Sequence, residues 1–187
     1  MNWKKMLLGL MVLFYGINSQ AQHKAVIGEP HLEKMGVHKL AVYAGFTYVP
    51  GAFYEEQTHL KSIGKYVPTF GFDYYHLLHP RWELGLIGDM EFDQYYLQKD
   101  GGVLENNNIL ILAAVAKFKP TNGLGIIAGP GFEWGHKKEA QRLWVFKTGV
   151  EYEIPIQNHW ELTPSLVIDL KEHYSSWAIG ISIGKRF

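Results

Sequence analysis

The chain contains no cysteine, so it has no disulfide framework, no thiolate zinc site and no cysteine nucleophile. It has no excess of charge of either sign. Its 18 basic and 18 acidic side chains cancel, which removes the electrostatic footprint a nucleic-acid partner would need. It has few charges overall, 19% against 47% hydrophobic residues, and that balance excludes a disordered chain. Long apolar runs are also missing. The longest, Met6–Ile17, spans about 12 residues, against the roughly 20 a membrane-spanning helix needs.

At 187 residues one domain is expected, and its 20 glycines, 11 tyrosines, 10 phenylalanines and 6 tryptophans favour short strands over helices. The start has a different character. Met1-Asn2-Trp3-Lys4-Lys5 is a basic head, Met6–Ile17 a short apolar core, and Ser19 and Ala21 are the small residues a signal peptidase reads. Residues 1–21 are therefore expected to be a signal peptide, 22–37 a short periplasmic segment, and 38–187 the folded domain.

From residue 38 onward the hydrophobic pattern has a period of two. In Trp160–Lys171 the even positions Trp160, Leu162, Pro164, Leu166, Ile168 and Leu170 are apolar, and the odd positions are polar except Val167. A helix would mix these two sets, whereas a strand separates them onto opposite faces. The same alternation runs through Trp82–Phe92, Gly123–Trp134 and Trp177–Phe187, and more weakly through Leu40–Val49, Val67–Leu77, Asn108–Phe118 and Leu143–Ile154. Eight strands result. The segments 50–65, 98–107 and 135–142 are long and polar, and alternate with tight turns at 79–81, 119–122 and 155–159. This is the pattern of an all-β, eight-stranded antiparallel up-and-down transmembrane β-barrel with both termini on the periplasmic side.

Three features point the apolar face toward lipid. Trp82, Trp134, Trp144, Trp160 and Trp177 all fall at strand ends on the apolar parity, the first and fourth at the periplasmic end and the others at the outer end, as two interfacial girdles. The opposite face carries glycines and charges of both signs, suited to a narrow interior. Strands of about ten residues, tilted, match the thickness of an outer membrane.

The last segment, Ser176-Trp177-Ala178-Ile179-Gly180-Ile181-Ser182-Ile183-Gly184-Lys185-Arg186-Phe187, resembles the final strand of Gram-negative outer-membrane barrels, which end in an aromatic residue read by the barrel assembly machinery. The Gln20-Ala21-Gln22 junction and the Trp160–Lys171 strand are similar to small outer-membrane proteins of Bacteroidota. The resemblance implies an eight-stranded barrel of the OmpX and OmpA-domain kind, with Phe187 as assembly signal, outer-membrane lipids and the assembly machinery as partners, and no shared activity.

Several motifs suggest chemistry. Gly123-Leu124-Gly125-Ile126-Ile127-Ala128 fits a dinucleotide fingerprint, but Pro130 and Gly131 follow and no helix opens to receive a pyrophosphate; glycines making room inside a narrow barrel is the better reading. His76 and His79 are three apart on a strand and point to opposite faces, so they do not form a metal pair. His173-Tyr174-Ser175 places a histidine and a serine on one face, and lipid A deacylases resembling PagL use such a pair plus a glutamate. No acidic residue follows Ser175, and Glu172 points away. No cofactor and no metal site are expected.

The inward parity collects nine carboxylates, Asp73, Glu83, Asp89, Glu91, Glu133, Glu151, Glu153, Glu161 and Asp169, against four cations, Lys39, Lys147, Lys171 and Arg186. An eight-stranded barrel is just wide enough for side chains to fill, so these groups are expected to form a plug. Asp169 should pair with Lys147 or Arg186, and the excess of acid suggests that Glu151 and Glu153 share a proton. The expected function is a non-catalytic envelope component that acts through surface recognition by the 50–65 and 98–107 loops, with Phe53, Tyr54, Glu55, Glu56, His59, Tyr95 and Tyr96 as contacts. The alternatives are a lipid A hydrolase using His173 and Ser175, or a narrow ion-conducting pore.

Overall fold

A computed structural model describes residues 36–53, 64–99, 102–135 and 143–187. The expected signal peptide, all but the last two residues of the 22–37 segment, Tyr54, Glu55, Glu56 and His59, and residues 136–142 lie outside the described residues.

In chain order the strands are β1 (His38–Val49), the two-residue β2 (Ala52–Phe53), β3 (Lys65–His79), β4 (Trp82–Lys99), β5 (Gly102–Phe118), β6 (Leu124–Trp134), β7 (Leu143–Tyr152), the two-residue β8 (Ile154–Pro155), β9 (Trp160–Lys171) and β10 (Ser175–Arg186). The eight long ones are each antiparallel to the next. β1 pairs with both β3 and β10, and β10 with β9, so the sheet closes on itself and no long strand is left as an edge. The fold is an all-β, closed, eight-stranded antiparallel barrel.

Alternation decides what each side chain meets. On β9, Glu161, Thr163, Val167, Asp169 and Lys171 are buried in the lumen, while Leu166, Ile168 and Leu170 are each more than 40% exposed on the outer wall. Phe70, Phe72, Leu84, Leu86, Ile179 and Ile183 stand out in the same way from the other strands. In water this belt would be a large unfavourable apolar surface; in hydrocarbon it is the matching one. The 11 residues of β6, tilted as in such barrels, rise about 28 Å, close to the apolar band of an outer membrane. Trp82 packs its ring against Phe118 near the end where β1 begins and β10 finishes, and Trp160 has the Lys185 ammonium 5.7 Å from its ring there. At the opposite end Trp144 meets Phe132 at 4.3 Å and Trp177 meets Tyr48 at 5.2 Å.

Two sequence expectations need correction. Of the expected loop 98–107, residues 98–99 and 102–107 are strand, because β4 runs to Lys99 and β5 starts at Gly102 and the two stay paired beyond their other partners. β3 pairs with β4 from Thr69–Glu91 downward, and β6 with β5 from Leu110–Trp134. One extra residue sits on β4 between Glu91 and Gln94, opposite Asn108, whose φ of 47° is the left-handed conformation that asparagine tolerates. That bulge switches the facing of β5. Ile109 and Ile111 point inward below it, and Asn106 points inward above it. Tyr95, expected to be an exposed recognition aromatic, is fully buried.

The second correction concerns the lumen, which is not uniformly polar. Val49, Val67, Tyr95, Leu97, Ile109, Ile111 and Val145 form an apolar cluster in its outer half, and Ile87, Val115, Ile127 and Val167 form another at mid-height. Sequence alternation hid this on β5, where both faces are apolar. The glycines of β6 also differ in purpose. Gly125 makes room for Glu151 and Lys117 in the lumen, but at Gly129 a Cβ would strike the backbone of Ala114 and Val115 on β5.

Candidate functional site

The lumen holds the chemistry-bearing residues in tiers along the axis. Nearest the end where β1 begins and β10 finishes, Glu153 lies in the turn after β7 and accepts from Lys39 (3.1 Å), Lys117 (3.0 Å), Lys119 (2.7 Å) and Arg186 (3.1 Å). Glu83 receives Lys117, Lys119 and Arg186; Glu161 receives Lys39 and Arg186; Glu151 receives Lys117. The Lys117 ammonium also sits 3.6 Å from the ring centre of Tyr75, whose hydroxyl donates to Glu151. Four carboxylates meet four cations here.

At mid-height Lys147 donates to Asp89 at 2.9 Å and pairs with Asp169 at 2.8 Å. Arg186, the other candidate partner for Asp169, is taken up by the tier below. Above, Lys171 pairs with Glu133 at 2.7 Å and lies 3.4 Å from Glu91, to which Tyr95 donates at 2.9 Å. Tyr174, between β9 and β10, folds inward over this pair. At the outer mouth Lys65 pairs with Asp93 at 2.7 Å.

Of the nine expected interior carboxylates, eight lie in these ion pairs, and Asp73 instead lines a small mid-barrel cavity. The count of four cations was short. Lys117 is fully buried, Lys65 is 2% exposed, and the Lys119 ammonium reaches in from the turn after β5. Lys117 was legible in principle, because pairing β5 with β6 across their turn sets it opposite Ile127, on the inward parity of Gly125. Where Glu151 and Glu153 were expected to share a proton, Lys117 lies between them and Lys119 adds a second cation at Glu153. Burial would push the Glu153 carboxyl up, but Lys117, Lys39, Lys119 and Arg186 outweigh it and hold the group well below the usual carboxylate range.

His173 and Ser175 both face solvent at the outer turn, and neither lines the lumen cavity; the residue between them, Tyr174, turns inward instead. His76 stacks beside His38, with ring centres 4.9 Å apart, while His79 stands exposed at the end of β3. Among the described residues no group of three histidines and carboxylates could hold a metal. Leu124–Ala128 runs as strand after a bend at Gly123, and β6 continues to Trp134 with no helix opening there. Phe187 exchanges backbone hydrogen bonds with His38 and stacks on its ring at 5.8 Å, extending the β1–β10 closure by one residue.

A closed eight-stranded barrel with an apolar belt, aromatic ends and an ion-paired interior defines a small outer-membrane β-barrel. Solved structures share the fold. The N-terminal β-barrel domain of Pseudomonas aeruginosa OprF is 15% identical, with a TM-score of 0.52, over 82% of this chain and 100% of that one. The outer-membrane protein OprG of the same organism is 11% identical with a TM-score of 0.55, over 81% and 98% of the two chains. The outer-membrane protein AlkL, determined in lipid bilayers, is 10% identical with a TM-score of 0.55, over 89% and 97%. No family model and no curated protein matches the sequence, and the Bacteroidota likeness finds no support in these structures.

Proposed function

We propose that the chain is exported by its 1–21 leader and serves as a non-catalytic, non-conducting outer-membrane barrel that acts through its outer surface. The observation that carries this reading is the axial series of ion pairs, in which Glu83, Lys117, Lys147, Glu91, Glu133 and Lys171 are each buried to at least nine-tenths and joined across the lumen. A conducting path would have to break several such pairs together, leaving charges unpaired at low dielectric. The outer part of β4 and β5 is the element offered to a partner. Its Tyr96 stacks on Phe53 of β2 at 6.0 Å and accepts a hydrogen bond from Gln94. Phe187 at the barrel seam serves assembly.

The test is current across a planar bilayer carrying the purified protein, with outer-membrane fractionation alongside. The expected result is outer-membrane recovery without discrete conductance steps, and slower assembly when Phe187 is deleted. Reproducible steps that scale with salt would reject the closed lumen. Recovery as soluble periplasmic protein would reject the membrane reading.

A further inference from the structure

Midway along the lumen the side chains do not close completely. A cavity of about 30 Å³, room for one water-sized guest, is lined by Tyr43 of β1, Asp73 of β3, Asp89 of β4, Glu151 of β7, Ser165 of β9 and Ser182 of β10. Oxygen-bearing side chains from six strands converge there. Tyr43 is 6% exposed and its hydroxyl is buried without a hydrogen-bond partner. Among the described residues no hydrogen bond or ion pair reaches Asp73 either.

The charge count gives the unfilled space a sign. The tier below is balanced, with Glu83, Glu151, Glu153 and Glu161 against Lys39, Lys117, Lys119 and Arg186. At the level of the cavity, Lys147 is shared between Asp89 and Asp169, and the two other ammonium groups that face Asp73, Lys39 and Lys117, are paired with the carboxylates of the tier below. A half-buried carboxylate with no ion pair of its own is costly, and a cation taken from solvent would offset that cost. Among the described residues no group of three histidines and carboxylates could hold a metal ion, and the one carboxylate without an ion pair here, Asp73, matches a guest of single charge.

We propose that this cavity is a binding site for one small monovalent cation, a sodium ion or a proton carried with its water, held between Asp73 and the Tyr43 hydroxyl. Carboxylate and hydroxyl oxygens are the hard donors such a guest takes. The titratable groups facing Asp73 are Lys39 and Tyr43 on β1, Tyr75 on β3, Asp89 on β4, Lys117 on β5, and Lys147 and Glu151 on β7. β6, β9 and β10 contribute Ile127, Ser165, Val167, Ala178 and Ser182, none of which titrates. The site goes beyond the closed-lumen reading, since an occupied cavity carries no requirement for current.

The experiment is equilibrium urea unfolding of the barrel in detergent, with sodium chloride exchanged for choline chloride at fixed ionic strength, at pH values from 5 to 8. If sodium is the guest, the folded-to-unfolded ratio of the wild type rises about tenfold for each tenfold increase in sodium above its dissociation constant. If the guest is a proton, the ratio instead falls by up to about tenfold per pH unit as pH rises, with no sodium response. In either case Asp73→Asn abolishes the response, Tyr43→Phe weakens it, and Asp93→Asn at the outer mouth leaves it unchanged. Should Asp73→Asn not fold, Tyr43→Phe decides by the same comparison. A wild type and cavity variants that respond alike to both sodium and pH would overturn the site, and would leave the bilayer result untouched.

Discussion

Tyr174 places its hydroxyl 2.9 and 3.0 Å from the two carboxylate oxygens of Glu133, on the far side of the lumen. The turn that carries it is tight, with the Lys171 N–H donating to the Tyr174 carbonyl at 3.0 Å. Lys171 Nζ and Asn106 Nδ2 both donate to the same hydroxyl at 3.1 Å, so one phenol ties three strands together at the outer end of the barrel.

Removing that hydroxyl should therefore loosen the outer end. Tyr174→Phe leaves Glu133 paired with Lys171 but withdraws a donor from Glu133 and an acceptor from Lys171 and Asn106, and should cost about 1–3 kcal/mol in urea unfolding. Alkaline pH provides a second readout. Burial first, then Glu133 and Glu91, push the Tyr174 phenol well above its ordinary value. An unfolded chain ionises this group near pH 10 while the fold keeps it protonated, so stability falls as pH rises above about 10. The fall should be shallower in Tyr174→Phe. Equal alkaline slopes in the two proteins would show that the phenol is free of the carboxylates.

Lys147 should matter more than either of its partners. Lys147→Met strands both Asp89 and Asp169 and should cost about 3–5 kcal/mol, whereas Asp169→Leu leaves Lys147 with Asp89 at 2.9 Å and should cost less. Asp93→Asn, at the wetter mouth, should cost no more than about 1 kcal/mol. Urea midpoints in detergent rank the three, and an Asp169→Leu loss as large as that of Lys147→Met would mean that Asp89 is not a real partner.

Gly129 tests the wall rather than the lumen. A methyl at this position meets the carbonyl of Ala114 and the Cα of Val115, backbone atoms with no rotamer to change. Gly129→Ala should then part β5 from β6 at mid-height and prevent formation of the compact, heat-modifiable species on an unboiled gel. The same substitution at Gly88, where the nearest atom to a new Cβ is a leucine methyl at 3.6 Å, should be tolerated. Normal folding of Gly129→Ala would mean that the two strands stand further apart than described.

The tryptophans at strand ends should report interfacial depth. In vesicles of lipids labelled at different positions along the acyl chain, Trp82, Trp134, Trp144, Trp160 and Trp177 should be quenched most by labels near the headgroups. Strongest quenching by labels at the bilayer centre would place the belt off the membrane.

By itself the sequence determined the strands and their two faces, because side-chain direction on a strand depends only on parity. Trp160–Lys171 and Trp177–Phe187 could be divided into lipid-facing and lumen-facing sets residue by residue, and the barrel follows from eight such segments with polar connections. Parity is a local property, and it failed where the backbone broke it. The bulge opposite Asn108 turned Asn106 inward on β5, whereas Tyr95 keeps the inward parity of Glu91 and is buried because β4 continues as strand where a loop was expected. It was also silent on β5, whose two apolar faces concealed Lys117. Which charges meet was never a local matter. Lys147 reaches Asp89 across 58 residues of sequence, and Glu153 collects Lys39 across 114, because barrel closure and strand register set the distances between inward side chains. The cavity beside Asp73 belongs to the same level of organisation. Asp73 has no ion pair there because the neighbouring cations are paired with other carboxylates, and only the closed tertiary structure fixes those pairings.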